Sequence, residues 1–284
     1  MNLAQETVNG LVLGAGYALL AVGWTVLLGA ARLVNFAQGQ LYMLGAFASW
    51  YILAKTGLPY LASIPLAVVV VAALGLVIQT AMTRLTMQQN LVSLMVVTLG
   101  IGYLLEGGAT KLFGTGARTL ASPLEDDRLT IGSAFFTGQD LLIIVVALVL
   151  FAIVWVTLSR TRIGIVVRSV AEDPKLAQLF GVHAGLVYLG LFVFSAAAAA
   201  LSGALLAPRS PILTTIGFDQ LVITFVVVVL GGIGSVLGNL AAGLGLGLFT
   251  SFFGAYVSPA YTTPVAFAVV LVILAVRPQG LARA

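Results

Sequence analysis

A succession of apolar runs, each about 20 residues long and divided by short polar breaks, constrains this chain more than any other feature. A helix rises about 1.5 Å per residue, so a run of that length crosses the roughly 30 Å of hydrocarbon in a bilayer. Nine runs are read, at roughly 8–30, 36–54, 62–83, 92–110, 139–158, 186–207, 217–233, 236–254 and 260–276. Gln38 and Gln40 interrupt the second, and Gly231, Gly232, Gly234 and Ser235 break the chain between the seventh and eighth. The expectation is an all-α integral membrane protein, a polytopic bundle of eight to nine transmembrane helices, some broken or re-entrant. Barrel strands would alternate apolar and polar residues over about ten positions, whereas these runs are continuously apolar.

Composition agrees with lipid as the main solvent. Of 284 residues 61% are hydrophobic and 8% charged, against about 25% charged in soluble domains. No shift in composition marks off a soluble part, so residues 1–284 read as one transmembrane domain. Its basic residues are scattered between apolar spans, which points to membrane orientation and away from nucleic acid. Cysteine is absent, which excludes disulfides, thiolate metal sites and a cysteine nucleophile. Met1 to Thr7 carries Glu6 and no Lys or Arg, unlike the basic start of a cleaved signal peptide, so the first helix is expected to be retained.

Orientation follows from Lys and Arg at span ends. The loop 159–185 holds Arg160, Arg162, Arg168 and Lys175, and the C-terminus Arg277 and Arg283. Placing both in the cytoplasm and alternating through nine spans puts Arg32 and Arg84 inside, and Lys55, Lys111, Arg118, Arg128 and Arg209 outside. The N-terminus is then outside. The longest outer connection, 111–138, carries Glu125, Asp126 and Asp127, with Asp140 just beyond. Small residues recur at G-x-x-x-G spacing in Gly10/Gly14, Gly234/Gly238 and Gly243/Gly247, and Ala196, Ala200 and Ala204 repeat it. Such spacing lets membrane helices pack closely.

Chemistry for a self-powered pump or an enzyme is missing. No Lys follows a Gly, so the phosphate-cradling G-x-x-x-x-G-K-[ST] loop is absent. Beyond the first few residues of a run, Glu106 is the only acid inside a clear span, near its end and close to Lys111, and His183 is the sole His. These suit interfacial and solvated positions better than a relay or a metal ligand.

The informative segment is RTRIGIVVRSVAEDPKLAQLFGV, residues 160–182. Ile163, Val166, Val167 and Val170 follow the spacing of one apolar helix face. A second, short helix starts cleanly: Asp173 caps free N–H groups, Pro174 fits the first position, and Gly181 suits a left-handed stop. Leu176, Leu179 and Phe180 form an apolar stripe between them. A helix this short needs a surface to pack on, either a partner's groove or the underside of its own spans.

This segment resembles the cytoplasmic coupling loop of binding-protein-dependent ABC importers, in particular the branched-chain amino acid ABC transporter permease family. The resemblance continues at NFAQGQLYMLGAF (35–47), GGIGSVLGNLAAG (231–243) and RPQGL (277–281). It departs at Gln38 and Gln40, where many relatives carry His and an acid, and at Ile165 and Val166, where a basic and a small or apolar residue are common. The resemblance implies a permease subunit in a bacterial-type inner membrane that moves a small amphipathic solute, most plausibly a branched-chain or other hydrophobic amino acid. Urea, amides, aromatic acids, or a self-contained secondary transporter are the alternatives. It implies no ATPase site of its own and no directly bound cofactor, with ATP and Mg on partner subunits. The implied partners are a second permease subunit, homologous or identical, two cytoplasmic ATP-binding subunits and an extracytoplasmic solute-binding protein. Arg160, Arg168, Ala171, Asp173, Pro174, Leu176, Leu179, Phe180 and Gly181 would meet the ATPases. Asn35, Gln38, Gln40, Gly231, Gly232, Gly234, Ser235 and Gly238 would line the substrate path or serve as a gate, with close packing as the plainer role for the glycines.

The orientation is testable because the chain has no native thiol. Ser169→Cys is expected to resist an impermeant thiol reagent applied to intact cells and to react once they are permeabilised. Labelling from outside would invert the topology.

Overall fold

The computed structural model describes residues 3–31, 33–87, 91–125, 128–131, 134–258, 261–262 and 264–268. Its helices are α1 (Leu3–Val26), continued by a π-helical turn (Leu27–Ala31), then α2 (Gln38–Thr56), α3 (Tyr60–Met87), α4 (Leu91–Phe113) and α5 (Gly138–Arg160). After these come α6 (Arg162–Glu172), α7 (Pro174–Leu179), α8 (Ala184–Leu206), α9 (Ile216–Gly231) and α10 (Val236–Tyr256). Their ends obey local chemistry: Gly57 closes α2 at φ 66°, and Thr137 and Asp140 form a reciprocal capping box that starts α5.

Eight of the nine apolar runs coincide with helices. The ninth, 260–276, lies largely outside the described residues, as do Arg32, Asp126, Asp127, Arg277, Arg283 and the RPQGL block. Among the described residues, six helices are long and apolar enough to cross a membrane: those at Leu3–Gly29, Tyr60–Arg84, Val92–Phe113, Gly138–Arg160, Ala184–Leu206 and Val236–Tyr256. That is fewer than the eight to nine expected. The shortfall has two causes. α9 is only 16 residues long, and α2 carries Gln38, Gln40 and Ser49, all fully buried. Packed among α3, α8 and α9, α2 meets protein on most of its surface and need not be apolar enough to face lipid.

The layering follows from what each helix touches. In α1, 78% of the apolar window is buried, against 22% in α4 and α5. α1, α2 and α8 therefore form the centre, and α3, α4 and α5 present residues such as Val69, Val96, Leu104, Val145 and Leu148 outward. An outward apolar face is stable where the surrounding solvent is lipid.

Small residues set the central crossings. A Cβ on Gly247 of α10 would lie 2.2 Å from Gly14 N and 2.4 Å from Gly10 O, and one on Gly14 would lie 2.8 Å from Gly243 O. The two G-x-x-x-G pairs of α1 and α10 thus pack against each other, backbone on backbone. The alanine stripe of α8 does the same: Ala200 faces Gly45 of α2 and Ala196 faces Gly75 of α3. Gly234/Gly238 is different, because Gly234 precedes α10 and belongs to a turn.

Several polar groups within the bundle are paired between elements. Gln139 donates to Tyr60 Oη (2.9 Å) and Leu205 O (2.6 Å) and accepts from Ser122 Oγ (3.0 Å), while Tyr60 Oη donates to Ala204 O (3.0 Å). Asp140 also pairs with Arg209. The polar connection 111–138, read from sequence as a loop, includes a small antiparallel hairpin, β1 (Arg128–Ile131) with β2 (Ala134–Thr137). Gln5 of α1 grips it, accepting from Phe135 N (2.8 Å) and donating to Phe135 O (3.2 Å).

Replacing Gly247 by Ala is expected to destabilise the protein by about 1–3 kcal/mol, because the crossing cannot admit a Cβ without backbone shifts. Gly100→Ala meets nothing within 4 Å and is expected to leave stability unchanged or raise it. Thermal unfolding in detergent compares the two, and equal midpoints would exclude the crossing as a determinant of stability.

Candidate functional site

The loop after α5 is built as a rigid bracket. Gly164 presses on the end of α5, where a Cβ would lie 2.0 Å from Leu158 O, and Arg168 Nη1 donates to that same carbonyl at 2.6 Å. Val167 and Val170 are buried as the helical spacing predicts, whereas Ile163 is exposed. Ile163 and the half-buried Val166 instead line an apolar groove of about 570 Å³ beside α5 and α8.

α7 starts as its sequence requires. Asp173 Oδ1 accepts from Lys175 N (2.8 Å) and Leu176 N (3.0 Å), Pro174 occupies the first turn, and Gly181 adopts φ 83°. Only Ala177 of this helix is buried. Leu176, Leu179 and Phe180 are 53%, 83% and 81% exposed, so the stripe points away from the chain's own spans. Arg160 is exposed and Ala171 half-buried.

The second group of candidates gathers elsewhere, around the C-terminal end of α1. Gln38 Nε2 donates to Ser195 O (3.0 Å) and Ser195 Oγ donates to Gln38 Oε1 (2.8 Å), a two-way tie between α2 and α8. Both ends of that amide are spent on structure. Asn35 Oδ1 accepts from Ala37 N (3.0 Å), its own carbonyl accepts from Trp24 Nε1 (2.8 Å), and its Nδ2 is buried without a partner. Gln40 Nε2 lies 3.5 Å from Glu106 Oε2, while Gln40 Oε1 is buried, unpaired and closed in by Gly217 of α9.

Between α9 and α10 the chain turns through Gly232 at φ 95° and Gly234 at φ 86°, and Ser235 Oγ accepts from Gly238 N (3.1 Å) to start α10. Gly231 is pressed against Asn239, whose Nδ2 donates to Thr25 Oγ1. A Cβ on Gly29 would lie 2.3 Å from Gly234 Cα, and one on Gly23 would lie 2.8 Å from Gln38 Nε2. One stretch, Gly23 to Gly29, therefore touches both predicted gate segments and runs into the π-helical turn, a distortion frequent at functional sites. Gly23, Thr25, Gly29, Ser195 and Gly217 were not singled out from sequence. Each acts through a residue far away in the chain, which leaves no local signal. The α7 stripe and this second group are separate, joined through α8.

Residues 6–274 match the family described as branched-chain amino acid transport system / permease component. The chain is 32% identical to the high-affinity branched-chain amino acid transport system permease protein LivH of Escherichia coli (strain K12), covering 98% of this chain and 94% of that one. It is 30% identical to the corresponding protein BraD of Pseudomonas aeruginosa, with the same coverage. It is also 28% identical to the permease protein LivM of Salmonella typhimurium, over 77% of this chain and 57% of that one. No solved structure matches the chain.

A Val at position 232 or 234 would force a β-branched residue into positive φ, at a cost of about 1–2 kcal/mol each before any clash. Gly232→Val and Gly234→Val are expected to insert normally yet lose most transport, while Gly245→Val, with nothing within 4 Å of its added Cβ, keeps it. Wild-type uptake in both turn variants would remove this segment from the gate.

Proposed function

Because the chain belongs to the family of permease components of branched-chain amino acid transport systems, we propose that it is the membrane subunit of an ATP-driven importer carrying branched-chain or other hydrophobic amino acids inward. The observation that carries this reading is the outward display of Leu179 and Phe180 at the end of a capped, bracketed helix, in an internal loop rich in Arg and Lys. Two apolar side chains held rigidly at more than 80% exposure require a covering surface, and the groove of a cytoplasmic ATP-binding subunit supplies it. Two such subunits would hydrolyse ATP with Mg, and a solute-binding protein would deliver substrate to the opposite face. Similarity to both LivH (30% identical) and LivM of Salmonella typhimurium supports pairing with a homologous second permease chain.

The geometry gives the stroke a route. α7 packs on α6 and α8, and Arg168 of α6 holds the end of α5 at Leu158, so force on α7 has a path to both α8 and α5. α8 is tied to α2 by Gln38 and Ser195, and to α1 by Ser202 Oγ, which donates to Gly16 O (3.1 Å). Packed helices joined in this way move as rigid bodies and deliver displacement to their least regular parts, here the π-helical turn at Leu27–Ala31 and the 232–235 break.

Phe180→Asp is expected to abolish both co-purification of the ATP-binding subunits and ATP-driven leucine uptake, since it strands a carboxylate in an apolar groove. Asp173→Ala removes a helix cap worth about 1 kcal/mol and is expected to weaken assembly only partly. A well-folded Phe180→Asp protein that keeps its ATPases and its uptake would defeat the proposal.

A further inference from the structure

The apolar groove of about 570 Å³ bordered by Ile163 and Val166 contains none of the residues assigned above to ATPase docking or to the gate. Ile153 and Leu158 of α5 form one wall and Leu186, Gly190 and Phe194 of α8 the other, over Val26 of α1 as a buried floor. From Leu186 to Phe194 the α8 wall rises about 12 Å at 1.5 Å per residue. One leaflet of a roughly 30 Å hydrocarbon core is about 15 Å deep, so the groove follows most of one leaflet. Ile153 and Leu186 are 55% and 66% exposed, which opens it sideways to lipid. A Cβ on Gly190 would meet nothing within 4 Å. The described start of the ninth apolar run does not fill this space, because Ala266 and Phe267 pack with Trp24, Leu221 and Leu246 in a separate cluster.

The mouth of the groove carries charge of one sign. Arg162 begins α6 two residues after the end of α5 and is exposed. Among the described residues it has no hydrogen bond and no ion pair, whereas Arg168 is engaged with Leu158 O. No Asp or Glu lines the groove, and Glu172 stands at the far end of α6, about 15 Å along that helix. A guanidinium is well suited to a phosphate, which it meets with paired N–H donors. A long apolar slot along one leaflet, with an unanswered cation where the leaflet ends, matches a molecule built of an acyl chain and an anionic headgroup. A zwitterionic headgroup would bring an ammonium for which no carboxylate waits.

We propose that this groove holds one anionic phospholipid of the leaflet on the α7 side, an acyl chain lying between α5 and α8 over Val26 and its phosphate on Arg162. Val26 is the residue before the π-helical turn, and α6 packs against that turn. The lipid therefore fills the space between the coupling bracket and α1. The site is independent of the transported solute and of the ATPase contact.

The test is native mass spectrometry of the purified full chain, titrated from detergent with three probes. These are dioleoyl phosphatidylglycerol, dioleoyl phosphatidylcholine, which has the same chains under a zwitterionic headgroup, and glycerol 3-phosphate, which has the phosphate and no chain. The first phosphatidylglycerol is expected to bind about tenfold more tightly than the first phosphatidylcholine, the gain from one charge-assisted pair. Glycerol 3-phosphate is expected not to displace it. Arg162→Gln should remove the preference between the two lipids, and Arg162→Lys should keep most of it, which separates charge from folding. Gly190→Phe should fill the groove and remove the first site for both lipids, while Lys55→Gln, at the far end of α2, should change nothing. Equal affinities in the wild type, a preference that survives Arg162→Gln or is lost equally in Arg162→Lys, or displacement by glycerol 3-phosphate overturns the site. A dimer of chains that Gly190→Phe dissociates would make a second copy the occupant and overturn it as well.

Discussion

At Gly247 the backbone of α10 comes so near α1 that an added Cβ would stand 2.2 Å from Gly14 N and 2.3 Å from its Cα. Lipid tails are as apolar as leucine, so burial from water does not drive helices together inside a bilayer, and close packing has to supply the attraction. Dispersion falls off steeply with distance, and helices that meet on glycine gain the most from it. This contact fixes α1 from one side. Gly16 and Gly23 then meet α8 on another, where Leu206 and Ser195 crowd them. With α1 clamped between α10 and α8, its π-helical turn at Leu27–Ala31 is itself pressed on the 232–235 break, where Gly29 meets Gly234.

How much of this was legible depended on how local the cause was. The start of α7 was readable because three neighbours, Asp173, Pro174 and Leu176, settle it among themselves. The apolar runs were readable as helices for a similar reason, since length and continuous hydrophobicity act segment by segment. Periodicity, however, reports contrast between core and solvent, and where lipid is the solvent that contrast vanishes. Nothing in the pattern of α1 and α4 separated a central helix from a peripheral one. A polar side chain in an apolar run, such as Gln38, reads from sequence equally as a contact to solute or as a structural tie. Its partner is Ser195, 157 positions away, and no local rule connects them. The 128–137 hairpin was missed for a related reason: strands of four residues are too short to show an alternation.

Exposed apolar surface carries two meanings in this fold, and position distinguishes them. Val69 and Leu104 project from the sides of long spans, where hydrocarbon meets them. Leu179 and Phe180 project from a six-residue helix flanked by Arg160, Arg162, Arg168 and Lys175. Basic side chains hold that end at an aqueous boundary, and lipid cannot cover what they keep in water. An apolar pair that is rigid, nearly fully exposed and beyond the reach of hydrocarbon is explained by protein–protein contact. The same reasoning fixes the scale of the coupling. α8 has 23 residues and spans about 34 Å at 1.5 Å per residue, with α7 at one end and Arg209 just past the other. No irregular segment interrupts that helix, so α7 and Arg209 stand at the two ends of a single rod, joined by continuous backbone hydrogen bonds.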